Sequence, residues 1–233
     1  METGRIAAFF DVDRTLLSVN SAHRWMLYRW RSGQMPWTTL VRHTWWFVQY
    51  KLSVLDVERV ARDVVRDYCG QEVGALEREV QEWFHREIEA TITVQGRRAI
   101  EAHRAAGHLP VLLTSGPRFS TRPLQSQLNV DHLLCSELET RAGVLTGRYL
   151  PPPCYGAGKV TRAEDFAATH DISLESSYFY TDSYTDLPML ERVGQPRAIN
   201  PDLRLSRHAR THGWKIEQWD TVSDAAVGKP GQT

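Results

Sequence analysis

Short apolar runs recur along this chain, and each is cut off by an acid, a hydroxyl or a glycine. Ile6-Ala7-Ala8-Phe9-Phe10 stops at Asp11, Pro110 to Leu113 stops at Thr114, and Tyr178 to Tyr180 stops at Thr181-Asp182. Arg197 to Ile199 and Trp214 to Glu217 are two weaker examples. Continuous apolar runs bounded by turn residues predict strands buried on both faces. Helical spacing fills the gaps: Gly96 to Ala106 with Gly107 as its stop, a helix around Phe119 to Leu128, Lys159 to His170, Leu187 to Val193, and Leu203 to Thr211. Gly143 and Gly147 interrupt short apolar stretches within 133–150, which predicts a β-hairpin flap. Alternation of this kind implies an α/β fold, a Rossmann-like parallel sheet with helices on both faces.

Residues 20–90 break the alternation. They lack strand punctuation and predict four helices: Ser21 to Arg31, Pro36 to Leu52, Ser53 to Tyr68 and Gln71 to Ala90. Ser53, with Asp56 three residues on, resembles a capping box. The predicted division is therefore a core of 1–19 and 91–227, a helical cap of 20–90 inserted into it, and a flexible tail of 228–233.

Composition narrows the class. A chain of 233 residues, 42% hydrophobic, suits one domain with a sizeable insert. Lys+Arg and Asp+Glu balance at 28 each, which gives no overall nucleic-acid signature. Cys69, Cys135 and Cys154 are scattered and odd in number, a pattern that fits a reducing compartment. An apolar strand that starts by Ile6 leaves no room for a signal peptide, and no run reaches the roughly 18 apolar residues of a membrane span, so a cytoplasmic location is expected.

Local charge is less even. From Asn20 to Leu52 there is no Asp or Glu, while Arg24, Arg29, Arg31, Arg42 and Lys51 stand among Trp25, Trp30, Trp37, Trp45 and Trp46. From Leu55 to Ala90 ten acids face five arginines. Two readings stand side by side. In one, the two halves are antiparallel helices joined by opposite charge around an aromatic core. In the other, the first half presents a basic, aromatic face to a large anionic substrate or a membrane surface. Trp37, Leu40, Val41, Thr44, Trp45 and Val48 share one helical stripe, the pattern of a core face. Arg42, Trp46, Gln49 and Tyr50 fall on a different face.

Chemistry-bearing residues sit where the strands end. Asp11 and Asp13 follow the first strand, with Thr15 two residues on; two close carboxylates imply a cation, a shared proton or both. Thr114-Ser115-Gly116 follows the second, Gly156-Ala157-Gly158-Lys159 opens a helix, and Asp182-Ser183-Tyr184-Thr185-Asp186 follows the third. In this order the four motifs resemble the haloacid dehalogenase superfamily of phosphotransferases. Asp182 to Leu190 is most similar to its phosphoserine-phosphatase-like branch, subfamily IB. The resemblance implies a C1-type helical cap between the first two motifs. It also implies a magnesium-dependent phosphomonoesterase acting through an aspartyl-phosphate intermediate. Asp11 would be the nucleophile and Asp13 the general acid and then base. Asp11, the backbone carbonyl of Asp13, and Asp182 would hold Mg2+. Asp186 would hold a metal-bound water or orient Lys159, and Lys159 would neutralise phosphate oxygens. Thr114, which directly ends its strand, is the preferred phosphate-binding hydroxyl, with Ser115 as the alternative. His208 and His212, four apart, have no evident third ligand.

Two positions depart from the family. Arg14 replaces a small or polar residue. Asn20 stands where phosphoserine phosphatases carry a Glu that binds the substrate amine, which argues against phosphoserine. Asn20 and Arg24 become candidate substrate contacts from the cap. The expected substrate is a small phosphorylated metabolite of the histidinol-phosphate kind, or a lipid phosphate. The alternative is a catalytically weak protein of this fold that uses the cap to bind an anionic partner or a membrane surface.

Overall fold

The computed structural model describes residues 4–39, 41, 45 and 57–221. In chain order its strands are β1 (Ala7–Phe10), β2 (Leu109–Pro117), β3 (His132–Ser136), β4 (Leu138–Arg141), β5 (Val144–Tyr149), β6 (Tyr178–Thr181), β7 (Gln195–Ile199) and β8 (Lys215–Glu217). Its longer helices are α1 (Ser21–Arg31), α2 (Val57–Arg66), α3 (Val73–Trp83), α4 (Val94–Ala105), α5 (Arg118–Gln127), α6 (Ala157–His170), α7 (Leu187–Arg192) and α8 (Leu203–Thr211).

β1 consists of four buried residues because it lies inside the sheet and is covered on both faces. Ala7 and Phe9 pack with Val111, Leu113 and Phe179 on one face, and Ala8 and Phe10 pack with Leu112 and Tyr180 on the other. The six strands run in the order β3-β2-β1-β6-β7-β8, all parallel. The chain builds outward from β1 through β2 and β3, then returns to lay β6, β7 and β8 on the other side. The order therefore reverses between β1 and β6. In such sheets the crevice outside the carboxyl ends at the reversal is where ligands bind.

The helical insert lies between β1 and β2 and shares the hydrophobic cluster on one face of the sheet. Trp25, Leu76, Val80, Trp83 and Phe84 belong to the same cluster as Phe10 and Leu112. Trp25 meets Trp83 edge-on at 5.1 Å and donates its indole N–H to the Tyr68 hydroxyl at 2.9 Å. Backbone bonds fasten the insert to the β4–β5 hairpin: Gly70 N–H to the Leu145 carbonyl, Leu145 N–H to that of Gln71, and Val73 N–H to that of Gly143, each 2.9 Å. Gly147 lies against Cys69 at a φ of 78°, so a side chain there would be strained and would collide with the insert.

Three expectations are revised. The hairpin predicted over 133–150 resolves into β4–β5 alone, because 132–136 pair in parallel with β2 as an edge strand of the main sheet. The helix predicted over 71–90 holds its α-geometry only to Trp83, then loosens into a π-turn over Phe84–Ile88 and a 3₁₀ turn over Glu89–Thr91. Trp37, Val41 and Trp45 are exposed rather than core. Helical spacing identifies residues that share a face; it does not say which way the face points. Leu40, Arg42, Thr44, Trp46, Val48, Gln49, Tyr50, Lys51, the Ser53–Asp56 pair and the tail 228–233 lie outside the described residues.

Candidate active site

Asp11 follows β1 directly, and its backbone N–H donates to the Tyr180 carbonyl of β6 at 2.9 Å, so it sits at the strand-order reversal. The chain then turns sharply. Leu17 N–H bonds the Val12 carbonyl at 2.9 Å, and Arg14 takes a left-handed φ of 57°. The turn is anchored from outside: Asn200 Nδ2 donates to the Arg14 carbonyl at 3.1 Å, and Thr93 Oγ1 donates to that of Thr15 at 3.1 Å. Asp13 Oδ1 accepts the Ser21 N–H at 2.8 Å, which ties its carboxylate to the first turn of α1.

Lys159 reaches the same point from the first turn of α6. Gly158, just before it, packs against the Pro153 carbonyl, where a Cβ would not fit. Lys159 Nζ donates to Asp11 Oδ1 at 2.7 Å and to Asp186 Oδ2 at 2.7 Å, and all three groups are buried. Asp186 Oδ2 also accepts from Thr181 Oγ1 at 2.7 Å. Asp186 precedes α7 but makes no side-chain cap bond to it; its carboxylate is committed to the lysine and the threonine.

Burial and mutual repulsion shape the electrostatics. Burial pushes the Asp11 carboxyl up to about 7, with Lys159 opposing and Asp186 adding to the rise. Burial also lifts Asp182 to about 8, reinforced by Asp11 and Asp186. Asp13 is raised by burial against the pull of its Ser21 bond. Burial disfavours the Lys159 charge, but Asp11 and Asp186 outweigh it and hold its pKa above the ordinary value. Two carboxylates, Asp11 and Asp186, thus bond one buried ammonium, and Asp13 and Asp182 lie near enough to interact electrostatically with Asp11, an excess of negative charge that suits a hard cation. Among the described residues no three His, Cys, Asp or Glu side chains converge as a ligand cluster. The groups that could hold a cation here are two carboxylates, Asp11 and Asp182, with the carbonyl of Asp13. Magnesium, which keeps several waters and takes few protein ligands, fits such a set.

The motif-two hydroxyls separate in space. Thr114 is buried and its Oγ1 accepts the Gly116 N–H at 3.2 Å, while Ser115 is exposed. Asn20 caps α1, with Oδ1 accepting the His23 N–H at 2.8 Å, and Arg24 is exposed on the same helix. His208 and His212 stack at 3.9 Å, with His208 against Trp214 and Tyr184.

Sequence reasoning gave no role to Thr181, Asn200 or Asp202. Asp202 N–H donates to the Asp182 carbonyl at 2.9 Å, and its carboxylate accepts the N–H groups of Tyr184, Arg204 and Leu205. It therefore fixes the Asp182 loop while capping α8. The signal was present, since Asn200-Pro201-Asp202 ends the apolar run of β7 as Asp182 ends that of β6.

A model of the haloacid dehalogenase-like hydrolases matches residues 8–191. A Neisseria meningitidis protein named histidinol-phosphatase is 29% identical over 219 residues, 90% of this chain and 96% of that protein. A Mycobacterium tuberculosis phosphoserine phosphatase is 30% identical over 231 residues, 96% of this chain and 74% of that protein. A solved structure of a Bordetella pertussis protein of unknown function is similar with a TM-score of 0.84 and 32% identity, covering 94% of this chain and 100% of that one. The chain belongs to the haloacid dehalogenase-like hydrolases, and within them it is a phosphatase.

Proposed function

We propose that the chain is a magnesium-dependent phosphomonoesterase that carries the phosphoryl group on Asp11 and acts on a small phosphate ester of the histidinol-phosphate kind. The observation that carries this reading is Lys159, bonded at once to Asp11 and Asp186 across two strand ends. An ammonium there offsets charge on the phosphate and on the attacking carboxylate together.

An Asp11 oxygen attacks phosphorus in line. The bond from phosphorus to the ester oxygen breaks as Asp13 delivers its proton to the leaving alcohol. Water then attacks the same phosphorus and gives its proton to Asp13, and the bond to Asp11 breaks. A carboxyl raised by burial, as Asp13 is, suits that exchange. Asp11, Asp182 and the Asp13 carbonyl would hold the magnesium ion, whose charge offsets that of the transferring phosphoryl group. Ser115, being exposed, serves better than the buried Thr114 as the hydroxyl that meets a phosphate oxygen. The helical insert acts as the cap.

The histidinol-phosphatase of Neisseria meningitidis supports the substrate class. Asn20 is neutral and its side-chain oxygen already accepts the His23 N–H, so it supplies no carboxylate at the position where phosphoserine phosphatases have one. Three free cysteines, two of them buried, suit a reducing cytoplasm. Phosphate release from histidinol phosphate, phosphoserine, a lysophosphatidate and an aryl phosphate tests the proposal. Histidinol phosphate should give the highest kcat/KM. A preference for phosphoserine would refute the argument from Asn20, and preference for the lysophosphatidate would move the substrate to the lipid class. No release from any of them would leave the cap-binding alternative.

A further inference from the structure

We propose that the insert carries a membrane-contact face, made by Trp37, Val41 and Trp45, that seats on an anionic lipid surface. This inference is independent of the reaction. Each of the three residues is helical and they stand four apart in sequence, the spacing at which side chains share one helical stripe. They are 69%, 57% and 60% exposed, and Trp30, at the end of α1, is 44% exposed. Two largely exposed indoles with a valine between them in sequence make an apolar patch that marks an interaction surface.

Charge selects the occupant. The segment from Asn20 to Leu52 contains no carboxylate and five Lys or Arg residues. Of these, Arg24 and Arg31 are exposed, with Arg31 also reaching Glu87 at 2.8 Å. A second copy of the chain docked on the same face would bring like charges together. An anionic headgroup layer meets both features, because indoles favour the headgroup boundary and basic side chains bind acidic lipid. Among the described residues no helix is long and apolar enough to cross a membrane, so the contact is peripheral. Two other tryptophans of the insert do not compete for this role. Trp25 and Trp83 are buried against each other, which leaves the outward indoles as a separate set.

The test uses the whole chain and vesicles of phosphatidylglycerol and phosphatidylcholine. It should sediment with them in low salt, with a blue shift of tryptophan emission. Pure phosphatidylcholine should bind at least about tenfold more weakly. Raising salt towards about 1 M, where the screening length is about 3 Å, should weaken binding to the mixed vesicles to the same extent. The double variant Trp37→Ser, Trp45→Ser should bind at least about tenfold more weakly while its circular dichroism and aryl phosphate turnover stay at wild-type values, because neither side chain supports the core or the site. Three results would each overturn the proposal: no sedimentation in low salt, undiminished binding by the double variant, or a concentration-dependent dimer broken by the same substitutions without vesicle binding.

Discussion

Replacing Lys159 by methionine keeps the aliphatic stem and removes the ammonium that Asp11 and Asp186 share. Both bonds are 2.7 Å long and all three groups are buried. Breaking a buried pair costs about 3–5 kcal/mol, because the charge left behind keeps its desolvation penalty. The carboxylates have one escape, which is to take up protons. Holding one proton costs about 1.4 kcal/mol for each pH unit above the usual carboxylate pKa near 4, so about 5 kcal/mol at pH 8 and about 1.4 at pH 5. The sign follows from linkage. An acid whose folded pKa lies above its unfolded value contributes stability at low pH and loses it as pH rises through the folded pKa. Asp11 already sits near 7 with the lysine present, and it must rise further without it. The variant should therefore be only about 1.4 kcal/mol less stable than wild type at pH 5 and about 3–5 kcal/mol less stable at pH 8. Urea unfolding of both proteins at the two pH values, with EDTA present, measures the difference. A loss that is the same at both pH values, or no loss at either, would refute the reasoning.

Other outcomes follow from the same geometry. Asp186→Asn keeps the shape but loses a charged partner of Lys159, so kcat/KM should fall about ten- to hundredfold, the equivalent of about 1.5–3 kcal/mol, in steady-state assays. EDTA should stop turnover and magnesium restore it, while calcium, with looser coordination, should fail to do so; a metal-free preparation that keeps full activity would contradict the assigned donor set. His103 lies between His108 Nδ1 and the Tyr180 hydroxyl, each at 2.8 Å, and burial, with His108 and Arg197 adding to it, pushes its pKa down to about 4. Its unfolded form binds a proton that the folded form refuses, so stability should fall as pH drops from about 6.5 towards 4, and His103→Gln should flatten that slope in urea titrations.

The strands and their acids were legible because each strand is an apolar run that ends abruptly. The turn at Asp11, the helix opening at Lys159 and the loop at Asp182 are written in adjacent residues. The tether between Asp13 and Ser21 and the hold of Asp202 on the Asp182 loop were not legible, because both use backbone groups that every residue possesses. The choice between Thr114 and Ser115 turns on which side of β2 each side chain leaves, a matter of strand pairing. Residues 132–136 looked like half of a hairpin because a parallel edge strand and a hairpin strand have the same short alternating pattern. The stripe at Trp37, Val41 and Trp45 had core periodicity, yet all three residues are exposed.

The central claim is that Asp11 carries the phosphoryl group. Rapid acid quenching during turnover of a substrate labelled at phosphorus, followed by peptide mapping, tests it directly. The account predicts label on the peptide that contains Asp11 and none on that peptide in Asp11→Asn, which should fold normally and turn over at least about a thousandfold more slowly, a barrier increase of about 4 kcal/mol. Label on another residue, or turnover by Asp11→Asn within about tenfold of wild type, would contradict it.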